Sequence, residues 1–207
     1  IFSLTVYNTH VQAEDPVSSN QRTGHLQIQY TLAELVEVDL IQNFDAVELD
    51  KPIKWILFVP DNYRKSEPAG LLVYVSPTNS GRLPDDWFAV LAKNNMIGIG
   101  AELSGNRIAT RKRITYALLA KFAAALDYNL DPNRVFISGF SGGGRVASIM
   151  APRFPQIFKG AIYNCGANSF QNISTANLNK VKANRYVFVT GTEDFNLKDT
   201  KKVFRRY

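Results

Sequence analysis

Cysteine and histidine are nearly absent: Cys165, His10 and His25 are their only representatives in 207 residues. A lone cysteine excludes an internal disulfide, so the fold has to stand on packing. There is no His-Glu-x-x-His pair and no Cys/His cluster, so a zinc site is not expected and no cofactor is implied. No apolar run reaches the ~20 residues that a membrane-crossing helix needs, and no stable membrane insertion is expected. The phosphate fingerprints are missing too. G-x-G-x-x-G would need glycine where Ser141 stands, and a P-loop would need a Gly-Lys-Ser/Thr ending.

What is present suits one folded domain. Hydrophobic residues make up 45% and charged residues 20%, enough apolar surface for a sizeable core in a chain of this length. The formal net charge of +6 raises the question of a polyanionic partner. The basic residues are scattered, however, with small clusters at Arg111-Lys112-Arg113 and from Lys198 to Arg206. No aromatic-interleaved stripe accompanies them, so they are read as a solvated face and no nucleic-acid partner is expected.

The N-terminus reads as processed. The chain starts at Ile1 without methionine, Ile1 to Val6 resembles the end of an apolar run, and Val11-Gln12-Ala13 places small residues before a cut. Residues 1–13 are therefore expected to be a signal-peptide remnant, with secretion or a periplasmic location as the consequence. Residues 14–24, rich in Pro, Ser, Asn and Gly, are expected to be a flexible lead-in, and the domain to run from 25 to 207.

Alternation at Leu26, Ile28 and Tyr30 predicts a half-buried strand, with Leu35 to Leu40 as a candidate partner. Ile53 to Val59 is a denser apolar run; these early strands should form an antiparallel edge. From residue 70 onward, strands alternate with helices, as in a parallel sheet covered on both faces. The predicted strands are Leu71 to Val75, Met96 to Gly100, Arg134 to Gly139, Phe158 to Tyr163 and Tyr186 to Thr190. A helix opens near Pro84, with Trp87, Phe88 and Leu91 on its apolar face. A long one capped by Thr110 carries Ile114, Ala117, Leu118, Phe122, Ala125 and Leu126 on one face. Another runs from about Gly142 to Met150, ended or kinked at Pro152, and a last one starts at Leu197.

One stretch organises the rest: Gly139-Phe140-Ser141-Gly142-Gly143, between an apolar strand and the start of a helix. It fits G-x-S-x-G, in which a serine occupies a sharp strand-to-helix turn and its neighbours must be small. The helix N-terminus then faces the serine oxygen with unpaired N–H groups. Asp194 lies just past the Tyr186–Thr190 strand, 53 residues after Ser141, and is the candidate acid, with Glu193 as substitute. Gly142 N–H and an N–H from the loop Ser76 to Gly81 would hold an oxyanion; Pro77 has no N–H, so Thr78 is the second donor and Asn79 the reserve. Glu102 and Asn106 follow a strand and could line a pocket, though surface hydrogen bonding fits them better. Cys165 reads as a small buried residue, and Trp87 as core.

On those residues, positions from about 53 to 207 resemble the α/β-hydrolase superfamily, in particular secreted serine esterases of the polyhydroxybutyrate-depolymerase and feruloyl-esterase kind. The run Asp131 to Gly143 resembles their elbow segment, and Gly191-Thr192-Glu193-Asp194 their acid loop. The resemblance implies a mostly parallel sheet with helices on both faces, and hydrolysis of small or polymer-derived carboxylic esters through an acyl-enzyme. It implies Ser141 as nucleophile and Asp194 as triad acid, with no cofactor. Where that family has His-Gly before the oxyanion donor, this sequence has Ser76-Pro77. The family's histidine maps onto no residue present; it is expected beyond Tyr207, together with the last strand and helix, which makes this chain a C-terminally truncated and inactive fragment. A serine peptidase of prolyl-oligopeptidase type and a non-catalytic hydrolase-fold binding protein are the alternatives.

Overall fold

Seven strands form one sheet in the order β1-β2-β4-β3-β5-β6-β7. The computed structural model describes residues 22–37, 39–40, 44–168 and 173–207. The signal-like residues 1–13, His10 and most of the lead-in lie outside these. β1 (Gly24–Tyr30) pairs antiparallel with β2 (Ile53–Val59), from Gly24 opposite Val59 to Tyr30 opposite Ile53. The expected partner Leu35–Leu40 is overturned. Thr31 instead caps a single helical turn, α1 (Leu32–Leu35), with Glu34 Oε2 accepting the Thr31 N–H at 2.7 Å. A Thr-x-x-Glu capping box outweighed the apolar pattern that followed it, and the turn buries Leu32 and Leu35.

β3 (Ala69–Val75) is buried along its whole length at the centre of the sheet. β4 (Met96–Ala101) and β5 (Leu130–Phe140) pair parallel to it on either side. β2 pairs antiparallel with β4, so β1 runs in the same direction as the parallel strands. β6 (Gly160–Asn164) and β7 (Arg185–Val189) continue the parallel array.

Side chains alternate across β3, and the two faces have separate cores. Leu71, Val73 and Val75 join the larger one, while Leu72 and Tyr74 meet Leu83 and Leu91 on the other. The smaller core is covered by a 3-10 turn at Asp85–Trp87 and by α2 (Phe88–Lys93). The larger is covered by α3 (Thr110–Asp127) and α4 (Gly142–Arg153).

Three helix expectations need correction. Thr110 is the first helical residue of α3 and Ala109 its cap. The face of α3 turned inward is Ala117, Leu119, Ala120, Ala123 and Ala124, while Leu126 is exposed. Alanines allow the helix axis to approach the sheet closely, so the bulkier Ile114, Leu118 and Phe122 pack at the margin. Pro152 lies inside the last turn of α4 rather than ending it at Met150. The structure adds α5 (Thr175–Ala183), capped by Ser174 Oγ accepting from Asn177 N–H at 3.2 Å, and closes the described chain with α6 (Leu197–Phe204).

Candidate active site

Ser141 stands where β5 ends and α4 begins, with φ +53° and ψ −117°. A non-glycine residue held there stores strain of about 1–3 kcal/mol, which the surroundings must over-determine. They do so with backbone hydrogen bonds. Ser141 N–H donates to Asn164 O at the end of β6 (2.8 Å), and Ser141 O accepts from Arg145 N–H in the first turn of α4 (3.1 Å). The flanking glycines are sterically required. A Cβ on Gly143 would run into the carbonyl of Val75 at the end of β3, and one on Gly139 into the backbone of Gly143.

Asp194 lies beyond β7, in a turn in which its N–H donates to Gly191 O (3.2 Å). Its carboxylate accepts from Asn196 N–H (2.8 Å), Thr190 Oγ1 (2.8 Å) and the Cys165 thiol. These donors, Asn196 N–H foremost and then Thr190, hold the Asp194 pKa below its ordinary value, so the group stays ionised. Burial, and then the contact with Asp194, push the Cys165 thiol up, which disfavours the thiolate. Cys165 is therefore a donor to Asp194, half-buried and poorly suited to attack.

Asn196 ties the two loops together. It is buried, its Nδ2 donates to Cys165 O (2.9 Å), and its Oδ1 accepts from Arg145 Nη2 on α4. The helix that starts at Ser141 is thereby linked to the loop carrying Asp194. An open cleft of about 310 Å³ lies above, lined by Asn106, Ser141, Gly142, Arg145, Phe195 and Asn196.

The third wall comes from the loops after β3 and β4, which are interlocked. Asn79 O accepts from Leu103 N–H (2.7 Å), Asn79 Oδ1 from Gly105 N–H (3.1 Å), and Pro77 O from Asn106 N–H (2.9 Å). Glu102, weighed above as a pocket residue, accepts Gly81 N–H on Oε1 at 2.8 Å. Beneath them the buried Arg113 donates through Nε to Ser104 O (2.7 Å) and through Nη2 to Ser76 O (3.0 Å). Thr78 N–H donates to Ser76 Oγ at 3.1 Å. The same brace sets the Asn106 carboxamide directly against Gly142, where a Cβ would collide with it.

His25, the one histidine among the described residues, does not line this cleft. It is the second residue of β1, packed against Phe58 and Phe88 (ring centroids 5.5 and 4.6 Å). β1 is the outermost strand, four positions across the sheet from β5, and the register sets His25 level with Phe136 rather than with the Ser141 turn. Among the described residues no group of three or more His, Cys, Asp or Glu side chains gathers as a metal site would.

The fold as a whole has counterparts among solved structures. A ferulic acid esterase superposes with a TM-score of 0.62 at 14% identity, over 88% of this chain and 85% of the other. The chain has the α/β-hydrolase fold. An S-formylglutathione hydrolase, FrmB from Staphylococcus aureus, gives 0.61 at 12% identity, over 89% and 86%. A thermostable esterase gives 0.57 at 17%, over 88% of this chain but 51% of its own, so the chain spans about half the length of that relative. At these identities the likeness is one of fold. No protein-family model and no curated protein matches the sequence.

Sequence reasoning placed Ser141, Gly142 and Asp194 in this hydrolase fold but passed over three of the cleft residues, Arg145, Phe195 and Asn196, and read Asn106 as surface. Arg145 carried a usable signal: four residues after Ser141, it falls on the same side of the helix. Asn196 carried none, because its role depends on a cross-loop contact.

Proposed function

We propose that this chain carries the nucleophile and acid of a serine hydrolase that cleaves carboxylic esters through an acyl-enzyme. The observation that carries this reading is Ser141 itself, held at φ +53° on the floor of a cleft at the start of a helix. A serine held on a strained strand-to-helix turn, with its hydroxyl presented to a cleft, supports that reading. In the proposed cycle Ser141 Oγ attacks the ester carbonyl and gives its proton to a base. The alcohol leaves with that proton, and water repeats the attack on the acyl-serine. Asp194, ionised and fixed by three donors, is the group that would orient the base and stabilise its positive form.

Gly142 N–H at the N-terminus of α4 is one oxyanion donor. Thr78 can serve as the second only by giving up its bond to Ser76 Oγ. The Asn106 carboxamide, which has no hydrogen-bond partner among the described residues, lies beside Gly142, and we assign it as the second donor. Removing one such donor lowers turnover by about 100- to 1,000-fold, so Asn106→Ala should fall in that range with KM little changed.

Among the described residues no histidine lines the cleft to act as the base. His25 is on the outermost strand, packed against Phe58 and Phe88, and the order Ser, Asp, His places the base after Asp194; we assign it to a histidine following Tyr207 in a longer product. A fluorophosphonate probe should label that product, and Ser141→Ala should abolish labelling. Labelling that persists in Ser141→Ala would overturn the nucleophile assignment. The lack of a described histidine at the cleft also favours a second reading, a hydrolase-fold protein that binds esters without cleaving them. A product with ester affinity, no labelling and no turnover would establish it.

A further inference from the structure

From the cleft's charge we infer that the ligand carries an anionic group, a carboxylate, which pairs with Arg145; this rests on the cleft being the substrate site. Arg145 is half-buried and lines the cleft together with Ser141. Helical side chains lean toward the helix N-terminus, so a residue one turn after Ser141 covers the serine turn. Among the described residues its guanidinium makes one side-chain hydrogen bond, from Nη2 to Asn196 Oδ1, and no carboxylate lies within ion-pair distance. A guanidinium has five N–H donors in a planar fork that matches a carboxylate, and most of that fork is uncommitted.

The rest of the lining adds no opposing charge. Asn106, Ser141, Gly142, Phe195 and Asn196 are neutral. The nearest acid tied to this group, Asp194, has its oxygens occupied by Asn196 N–H, Thr190 Oγ1 and the Cys165 thiol. Asn196 separates it from Arg145: the amide oxygen takes the arginine while the backbone N–H serves the aspartate. A half-buried cation with a neutral partner in a neutral cleft leaves a site for an anion. Phe195, 87% exposed on the rim, offers an apolar surface for the remainder of such a ligand. The ligand class is therefore an ester bearing a free carboxylate, such as a monoester of a dicarboxylic acid.

The test is binding, which does not depend on Ser141 reacting. Monoethyl succinate and diethyl succinate are titrated into 15N-labelled protein, wild type and Arg145→Gln. The monoester should bind about 10- to 100-fold more tightly than the diester, the range for a charge-assisted hydrogen bond, and shift the Gly142, Arg145 and Asn196 amides. Arg145→Gln should erase the difference between the two esters. Arg145→Lys, which keeps the charge, should retain part of the preference, and this variant serves if Arg145→Gln does not fold. Equal affinity for the two esters, or a preference that survives Arg145→Gln, would overturn the inference. The preference should also persist in Ser141→Ala, so failure of the nucleophile assignment would show in the labelling experiment alone.

Discussion

At the scale of single residues, the site is specified by what is absent as much as by what is present. Gly143 has no side chain because the carbonyl of Val75 occupies the place a Cβ would take. Backbone cannot give way as a flexible side chain can, so Gly143→Ala should cost at least about 2–3 kcal/mol by overpacking, read as a lower urea midpoint at unchanged slope. Asp194 makes a separate prediction. Its folded pKa lies below the ordinary value of 3.8, so its contribution to stability is fully present above that value and lost as the pH falls through the lower, folded one. Urea midpoints measured from pH 7 down to pH 3 should fall less steeply at the acid end in Asp194→Asn than in wild type. An identical acid limb in both would show that the donors around Asp194 do not favour its charge. Ser141, Gly142 and Asp194 were legible in the sequence because the elbow glycines and the turn after β7 are local features. Asn106 and Asn196 were not, since each acquires its place through contacts to loops 29 or more residues away.

At the scale of elements, the parallel strands were legible from their apolar runs, because a strand buried on both faces has little choice of composition. The helices were less so. α3 presents alanines to the sheet, and a search for large apolar residues finds its margin instead of its buried face. α1 ends at Leu35, where a partner strand for β1 was expected to begin, because Thr31 and Glu34 form a capping box across its first turn. The element that depends most on one residue is the pair of loops after β3 and β4. Arg113, projecting from α3, donates to Ser76 O in one loop and Ser104 O in the other. Burial lowers its pKa, yet it keeps its proton because its ordinary value is so high. Arg113→Met fills the space but leaves two carbonyls without their donor, at about 1–3 kcal/mol. The same change should loosen Asn106 against Gly142. Fast hydrogen exchange at Leu103, Gly105 and Asn106 would report that loosening, and unchanged exchange would show that the loops hold each other without the arginine.

At the scale of the whole molecule, the two sides of β7 differ sharply. Tyr186 and Phe188 turn to one face, where Tyr163, Phe204 and Tyr207 close over them in a cluster of edge-on rings. Tyr163 and Tyr207 also share a hydrogen bond between their hydroxyls at 3.0 Å. The other face carries Val187 and Val189, 50% and 47% exposed, and the outer edge of β7 has no strand paired to it among the described residues. An open edge beside exposed valines is a template for a second strand. The 207-residue chain should therefore self-associate as its concentration rises, and Val187→Lys should suppress this by placing a charge on the sticky face. Sedimentation velocity across a concentration series measures both. The same chain should show no ester turnover, because the cleft of Ser141 has no histidine among its described lining residues. A monomer at all concentrations that hydrolyses esters would remove both the open edge and the missing base as features of the protein in solution. An associating, inactive chain whose extension past Tyr207 turns monomeric and active would tie the two together: the segment that pairs with β7 would be the one that brings the base to Ser141.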